Sequence, residues 1–331
     1  MLTIKTTAVI GAGVIGAGWA ARFALNGLDV RIFDLSPHAS KSVARTLDSA
    51  HRAYEKVFGD ELPPLGCIDL VNSVEEACHD VQFIQESLPE RESLKCDVLA
   101  TIGAAAGDNV VIASSTSGLL PSRLQAQMPN GRNLVVGHPF NPVYLMPLVE
   151  VCAGDATSPS SVDNAIAFYT SIGMRPLKVR KEIDGFIADR LMEAMWREAL
   201  WLVNDNVATA EEIDDAIRFG PGLRWAMMGS FLTYRVAGGE AGMRHFMDQF
   251  GPTLKWPWTK LMDVPDLNDE LLDKIVQQSD EQAGQRTIDE LERKRDDCLV
   301  AIMQGLQDQQ FSAGETLANY RTLMAKRRVH K

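Results

Sequence analysis

The sequence predicts an α/β fold: an N-terminal Rossmann-type domain on a doubly wound, mostly parallel sheet, followed by an all-helical C-terminal domain. Three observations carry this. The run Gly11-Ala12-Gly13-Val14-Ile15-Gly16 lies between an apolar stretch at 8–10 and a helix-like stretch at 15–25, the strand, tight turn and helix of a dinucleotide-binding unit. Short apolar runs then alternate with helix-like stretches up to about Val179, as parallel strands joined by helices do. Beyond Asp184 the period becomes helical. The expected domains are therefore residues 1–183 and 184–331.

In order along the first part, residues 29–33 read as a second strand, and 81–84, 110–113, 134–137, 148–152 and 176–179 as further ones, each short and mostly apolar. In the second part helices are expected over 186–202 and 210–219, with Thr209-Ala-Glu-Glu212 as a capping box. Two later helices are expected over 269–282 and 286–306. Their apolar positions leave enough uncovered surface for a helical subunit interface, so a homodimer is expected.

Composition narrows the class. With 331 residues, 46% hydrophobic and 23% charged, the chain suits about two globular domains. No apolar run approaches the roughly 20 residues of a membrane helix, and the first strand starts too close to Met1 for a signal peptide. A soluble, cytoplasmic protein with no membrane partner is expected. The five cysteines are scattered without a CxxC pair, which suggests neither a disulfide framework nor a metal site but reduced, structural thiols. A formal net charge of −11 argues against a nucleic-acid partner. The basic run Lys326-Arg327-Arg328 reads as a solvated or frayed end.

In the glycine motif, Gly11 permits the turn, Gly13 admits a pyrophosphate to the backbone, and Gly16 lets helix and strand pack closely. Asp34 follows the second strand, 18 positions after Gly16, where a carboxylate accepts hydrogen bonds from ribose hydroxyls. It would repel the 2′-phosphate of NADP, and Leu35, Ser36 and Pro37 supply no cation. NAD is the expected cofactor. Arg31 points to the opposite face of the strand and is expected to be solvated.

A dehydrogenase also needs a proton acceptor. His138, in Gly137-His138-Pro-Phe-Asn141-Pro142, follows an apolar strand at the end where ligands bind in such sheets. Glu150 lies 12 residues on, inside the apolar run Pro147-Leu-Val-Glu-Val-Cys152, and a carboxylate buried there requires a partner. Pairing the two would fix the imidazole tautomer and raise its basicity.

The stretch from Gly137 to Val151 resembles the signature of the L-3-hydroxyacyl-CoA dehydrogenase family, as do Ala113-Ser-Ser-Thr-Ser117 and Asp184-Gly-Phe-Ile-Ala-Asp189-Arg-Leu. The likeness extends over nearly the whole chain. It implies His138 as catalytic base, Glu150 as its orienting partner and Ser117 as hydrogen-bond donor to the reacting oxygen. It also implies that Glu90, Lys95 and Asn141 lie near the nicotinamide half of NAD.

Two departures redirect the substrate. Where the family normally has Asn, this chain has Asp189, whose charge would disfavour an alkoxide unless a cation is close by. The segment between Asp34 and Val81 is short, where acyl-CoA members carry a longer, lysine-rich arm. Arg224, in Gly220-Pro-Gly-Leu-Arg224-Trp225, stands where members acting on small free hydroxy acids, such as L-gulonate dehydrogenases, place an arginine that grips a carboxylate. Five of six tryptophans (Trp196, Trp201, Trp225, Trp256, Trp258) fall in the helical part with Phe219, Phe231 and Tyr234. Rings with one carboxylate suit a quaternary ammonium. The runs from Tyr234 to His245 and from Trp256 to Met262 resemble members that act on such a molecule. The expected substrate is thus a small zwitterionic 3-hydroxy acid, held by Arg224 at its carboxylate and by rings among Trp225, Phe219, Trp196 and Tyr234 at its ammonium. Asp189 would be the ammonium's electrostatic partner or a hydrogen-bond acceptor. A 3-hydroxyacyl-CoA or L-gulonate-type dehydrogenase is the alternative, and a crystallin-like NAD-binding structural protein is the non-enzymatic one.

Overall fold

A computed structural model describes residues 4–59, 62–237, 242–250, 257, 259, 268–283 and 285–329. The chain forms two compact units, Met1–Asp189 with Glu292–Lys331, and Arg190–Leu291.

The first unit is built on eight strands: β1 (Thr6–Ile10), β2 (Asp29–Phe33), β3 (Ile68–Leu70), β4 (Phe83–Glu86), β5 (Val111–Ser114), β6 (Leu134–Pro139), β7 (Leu148–Ala153) and β8 (Arg175–Val179). Their order is β3-β2-β1-β4-β5-β6-β7-β8. The first six are parallel; β7 pairs antiparallel with β6, and β8 runs parallel to β7. Successive side chains alternate between faces. On one face Val9 and Phe83 join Trp19 and Phe23 of α1 (Val14–Leu25) and Phe168 and Tyr169 of a helix at Pro159–Ser171. On the other, Ala8, Ile10 and Ile84 meet Leu99, Ile102 and Leu124, from helices at Glu92–Ala105 and Pro121–Leu124.

In chain order the remaining helices are α2 (Ala39–Phe58), α3 (Val74–Cys78), α4 (Glu92–Ala105), α5 (Pro121–Leu124), α6 (Pro159–Ser171), α7 (Ala188–Asn204), α8 (Ala210–Arg218), α9 (Pro221–Ala237), α10 (Gly242–Phe250), α11 (Asp269–Ala283), α12 (Ile288–Asp308) and α13 (Ala313–Val329). The capping box at Thr209 and Glu212 is formed. β3 has no counterpart in the sequence reading, because its three residues are largely exposed and lack an apolar run. β4 sits two places later than expected and ends in buried Gln85 and Glu86. Both are buried because both are bonded: Tyr169 donates to Gln85 at 2.8 Å, and Lys95 donates to Glu86 at 2.8 Å.

The expected helical segment 184–331 is distributed between the two units. α12 and α13 cover the outer face of α1 and α2, where Tyr54, Phe58 and Leu25 meet Val300, Met303, Leu317 and Tyr320. Arg52 and Lys56 each reach Asp297 at 2.6 Å, and Tyr144 donates to Asp296 at 2.6 Å. Periodicity reveals an apolar face but not what covers it. The expectation of a frayed basic end fails at Arg327. Its guanidinium donates to Asn26 O at 2.6 Å, Asn26 Oδ1 at 3.0 Å and Ser171 O at 2.9 Å.

In the second unit, α7 and α8 enclose an apolar groove of about 320 Å³ lined by Met192, Met195, Trp196, Leu200, Ile213 and Ile217. α9 is kinked at Gly229, whose φ is 67°. All five cysteines are free. Burial pushes the thiols of Cys78 and Cys152 up to about 12.

Candidate active site

Two glycines shape the turn after β1. Gly11 has φ +97°, and a Cβ there would meet Ser87 O at 2.7 Å; one at Gly16 would lie 1.7 Å from Gly11 O. The turn thus excludes side chains at both positions. Gly13 caps α1 without a side-chain bond, there is no acid in the first turn, and Gly13 and Val14 are exposed. The first N–H groups of a long helix therefore open outward, as a diphosphate requires. Asp34 closes the other side: Ala12 N–H donates to Oδ2 and Ser36 N–H to Oδ1, each at 2.6 Å. The glycine turn, the open helix end and the carboxylate after β2 fit NAD. Arg31 departs from its expected solvated role: it is half-buried and donates to the His79 carbonyl.

The candidate base, His138, is set by a strand pair. In the antiparallel β6–β7 ladder His138 lies directly opposite Glu150, so their side chains share one face. His138 Nδ1 is 3.0 Å from Glu150 Oε2, and both side chains are buried. The other oxygen, Oε1, accepts the N–H groups of Ile187 and Ala188, each at 3.0 Å. A carboxylate so anchored places the imidazole proton on Nδ1 and leaves Nε2 to accept. The ring packs beside Phe140 and Phe186, with centroids at 4.8 and 5.7 Å.

Phe186 is fully buried with φ 45°, a left-handed conformation costing about 1–3 kcal/mol in a non-glycine residue. Val136, Cys152 and Val179 pack around it. The turn at Gly185 and Phe186 aims two amides at Glu150 and starts α7 so that Asp189 Oδ2 stands 3.6 Å from His138 Nε2. One imidazole is flanked by a carboxylate at each nitrogen.

A second cluster lies under the loop after β5. Glu90 Oε1 accepts the Thr116 hydroxyl, Ser117 N–H at 3.0 Å and Gly118 N–H at 3.3 Å. Lys95 Nζ is 3.6 Å from Glu90 Oε2, and it donates to Glu86 Oε1 at 2.8 Å and Leu88 O at 2.9 Å. Ser117 itself is exposed, as is Asn141, two residues beyond β6.

The structure thus brings His138, Glu150 and Asp189 into one group and Ser117, Glu90 and Lys95 into another. The remaining sequence-derived residues lie in the second unit. Arg224 is exposed and Trp225 half-buried on α9. Phe219 is 73% exposed beneath the Arg218 guanidinium, 5.4 Å from its ring. Trp196 lines the α7–α8 groove, and Tyr234 stacks on Phe246 at 4.7 Å. Trp256 and Trp258 lie outside the described residues. Sequence reasoning missed Glu86, Phe186 and the two amides on Glu150. The signal for Glu86 was a carboxylate ending an apolar run nine residues before a lysine; for the others there was none short of the fold.

Comparison with known proteins identifies the family. The profile of the 3-hydroxyacyl-CoA dehydrogenase NAD binding domain matches residues 6–183, and that of the C-terminal domain of the same family matches residues 185–276. L-carnitine dehydrogenase of Mesorhizobium japonicum is 55% identical over 98% of this chain and 91% of its own. L-carnitine dehydrogenase of Pseudomonas putida is 54% identical over 94% of this chain and 97% of its own. The L-carnitine dehydrogenase/betainyl-CoA thioesterase of Rhizobium meliloti is 52% identical over 97% of this chain, which spans 65% of that protein. Among solved structures, the NAD+-dependent 5-formyl-3-hydroxy-2-methylpyridine 4-carboxylic acid 5-dehydrogenase superposes with a TM-score of 0.77 at 28% identity, covering 92% of this chain and 99% of that one. The chain belongs to the 3-hydroxyacyl-CoA dehydrogenase family and is an NAD-dependent 3-hydroxy acid dehydrogenase.

Proposed function

We propose that the protein is a cytoplasmic homodimer that oxidises L-carnitine at its 3-hydroxyl to 3-dehydrocarnitine. The observation that carries the reading is Asp189, a carboxylate 3.6 Å from the proton-accepting nitrogen of His138, in a chain so similar to L-carnitine dehydrogenases. His138 Nε2 takes the hydroxyl proton, Glu150 holds the ring and its tautomer, and Ser117 donates a hydrogen bond to the reacting oxygen. Gly11, Ala12, Gly13, Val14, Ile15 and Gly16 hold the cofactor's diphosphate, Asp34 its ribose, and Glu90, Lys95 and Asn141 serve its nicotinamide end. Bound there, the cofactor would supply the acceptor for the hydride that leaves C3 as the carbonyl forms.

A carboxylate beside the reacting oxygen opposes the charge that develops when the proton leaves. A substrate carrying a fixed cation one methylene from the carbinol carbon turns that cost into attraction. L-Carnitine has such a group; a 3-hydroxyacyl-CoA does not. The second unit enters this reading by its chemistry: Arg224 as partner of the substrate carboxylate, and the rings of Trp225, Phe219, Trp196 and Tyr234 as partners of the ammonium.

Initial rates at fixed NAD+ with L-carnitine, L-gulonate and 3-hydroxybutyryl-CoA test the substrate, and L-carnitine is expected to be oxidised fastest. Asp189→Asn tests the charge, with 3-hydroxy-5,5-dimethylhexanoate as the neutral carbon isostere of carnitine. A carboxylate some 5 Å from a cation at an effective dielectric of about 20 is worth about 3 kcal/mol. The variant should therefore lose roughly ten- to a hundredfold in kcat/KM for L-carnitine while oxidising the isostere as well as, or better than, the parent. Equal losses on both substrates would remove Asp189 from substrate recognition.

A further inference from the structure

Glu86 has no part in the functions derived so far, yet it is fully buried at the end of β4, in the middle of the sheet. Every polar atom of its carboxylate is used. Oε1 accepts Lys95 Nζ at 2.8 Å and Leu88 N–H at 2.6 Å, and Oε2 accepts the Ser114 hydroxyl. Its partner Lys95 is equally enclosed, 1% exposed. Removing two charges from water costs several kcal/mol per ion, so a buried pair is poor evidence of a contribution to stability. What such a pair fixes is geometry, and here the geometry leads to the Ser117 loop.

Two routes connect them. Through Lys95, Glu86 reaches Glu90 Oε2 at 3.6 Å, and Glu90 Oε1 gathers the hydroxyl of Thr116 and the amides of Ser117 and Gly118. Through Ser114, which lies opposite Glu86 in the β4–β5 ladder, it reaches the Thr116 amide, which donates to the Ser114 hydroxyl at 3.3 Å. Lys95 has three protons; two go to Glu86 and Leu88, and the third faces Glu90. Its contacts are with the groups that shape the loop.

We infer that Glu86 is a positioning residue for the reaction: with Lys95 it locks Glu90, and Glu90 holds the backbone N–H of Ser117 and so fixes the loop that presents the Ser117 hydroxyl to the reacting oxygen. This rests on the role given to Ser117 above. A purely structural ion pair and a positioning pair differ in one respect. Replacing both members with neutral side chains repairs the first and not the second.

The experiment compares Glu86→Gln, Lys95→Met and the double variant in the intact protein. It measures the melting temperature, NADH affinity by fluorescence, and kcat for L-carnitine at saturating NAD+. Each single change leaves a buried charge without its partner, so both stability and kcat should fall. In the double variant the melting temperature should recover while kcat remains at least about tenfold low. Ser117→Ala then closes a cycle: alone it should lower kcat about ten- to a hundredfold, and in the double variant less than about threefold further. Recovery of kcat in the double variant, or an undiminished Ser117→Ala effect within it, would reduce Glu86 to a structural residue. Loss confined to NADH affinity with kcat intact would overturn the positioning role and leave the pair serving the cofactor alone. No effect of Ser117→Ala in the parent would instead overturn the role of Ser117, and the positioning role with it.

Discussion

Four side chains surround His138, and they arrive by different routes. Glu150 is opposite it by strand register, Asp189 reaches it from the first turn of α7, and Phe140 and Phe186 wall its ring. Replacing it with Gln keeps a hydrogen-bonding group facing Glu150 but removes the base. His138→Gln should lower kcat on L-carnitine by about 10²–10⁴, with NADH binding measured by fluorescence unchanged; near-normal turnover would remove the assigned role. The His138–Glu150 pair was legible in the sequence because a carboxylate inside an apolar strand must find a partner, and the nearest candidate was twelve residues away. The resemblance implied that Asp189 lies near the reacting oxygen, but its approach to Nε2 was not legible. It depends on Phe186 adopting a left-handed backbone, which no propensity favours and only the surrounding core enforces.

Strands whose side chains are largely apolar on both faces announced themselves, as β1 and β6 did. β3 is too short and exposed to leave a pattern, and the two polar residues ending β4 concealed its true extent. The helices were legible as helices but not as neighbours. α12 was expected to offer surface to another subunit, yet Val300 and Met303 are buried against α2 and α13 within the chain. The most informative correction concerns Arg327. Burial lowers its pKa from the ordinary guanidinium value, and the charged group is retained because three carbonyl oxygens receive it. Arg327→Ala would leave those acceptors unpaired. It should cost about 2 kcal/mol and lower the melting temperature by several degrees, read by calorimetry, with little effect on KM for NAD+. An unchanged melting temperature would return this arginine to the solvated role its neighbours in sequence suggested.

For the molecule as a whole, an acidic chain would gain little from its overall field toward the zwitterion proposed as substrate, so recognition would fall to individual groups such as Asp189. Assembly of the proposed dimer would fall to the second unit. Its α7–α8 groove leaves Met192 and Met195 at 52 and 41% exposure, apolar side chains open to water. We assign this face to the dimer interface. Met195→Glu should shift the molar mass measured by light scattering from dimer to monomer, and an unchanged dimer would move the interface elsewhere.

The return of α12 and α13 to the first unit also sets an order of events during synthesis. Residues 190–291 leave the ribosome between the sheet and the helices that seal α1 and α2. Until those helices emerge, Leu25 of α1 and Tyr54 and Phe58 of α2 remain uncovered beside a sheet whose strands are all made. The nascent cofactor-binding unit must wait, with an apolar flank open, while the whole helical unit is made. That interval, in which exposed apolar surface invites aggregation, is when this chain most needs chaperone protection.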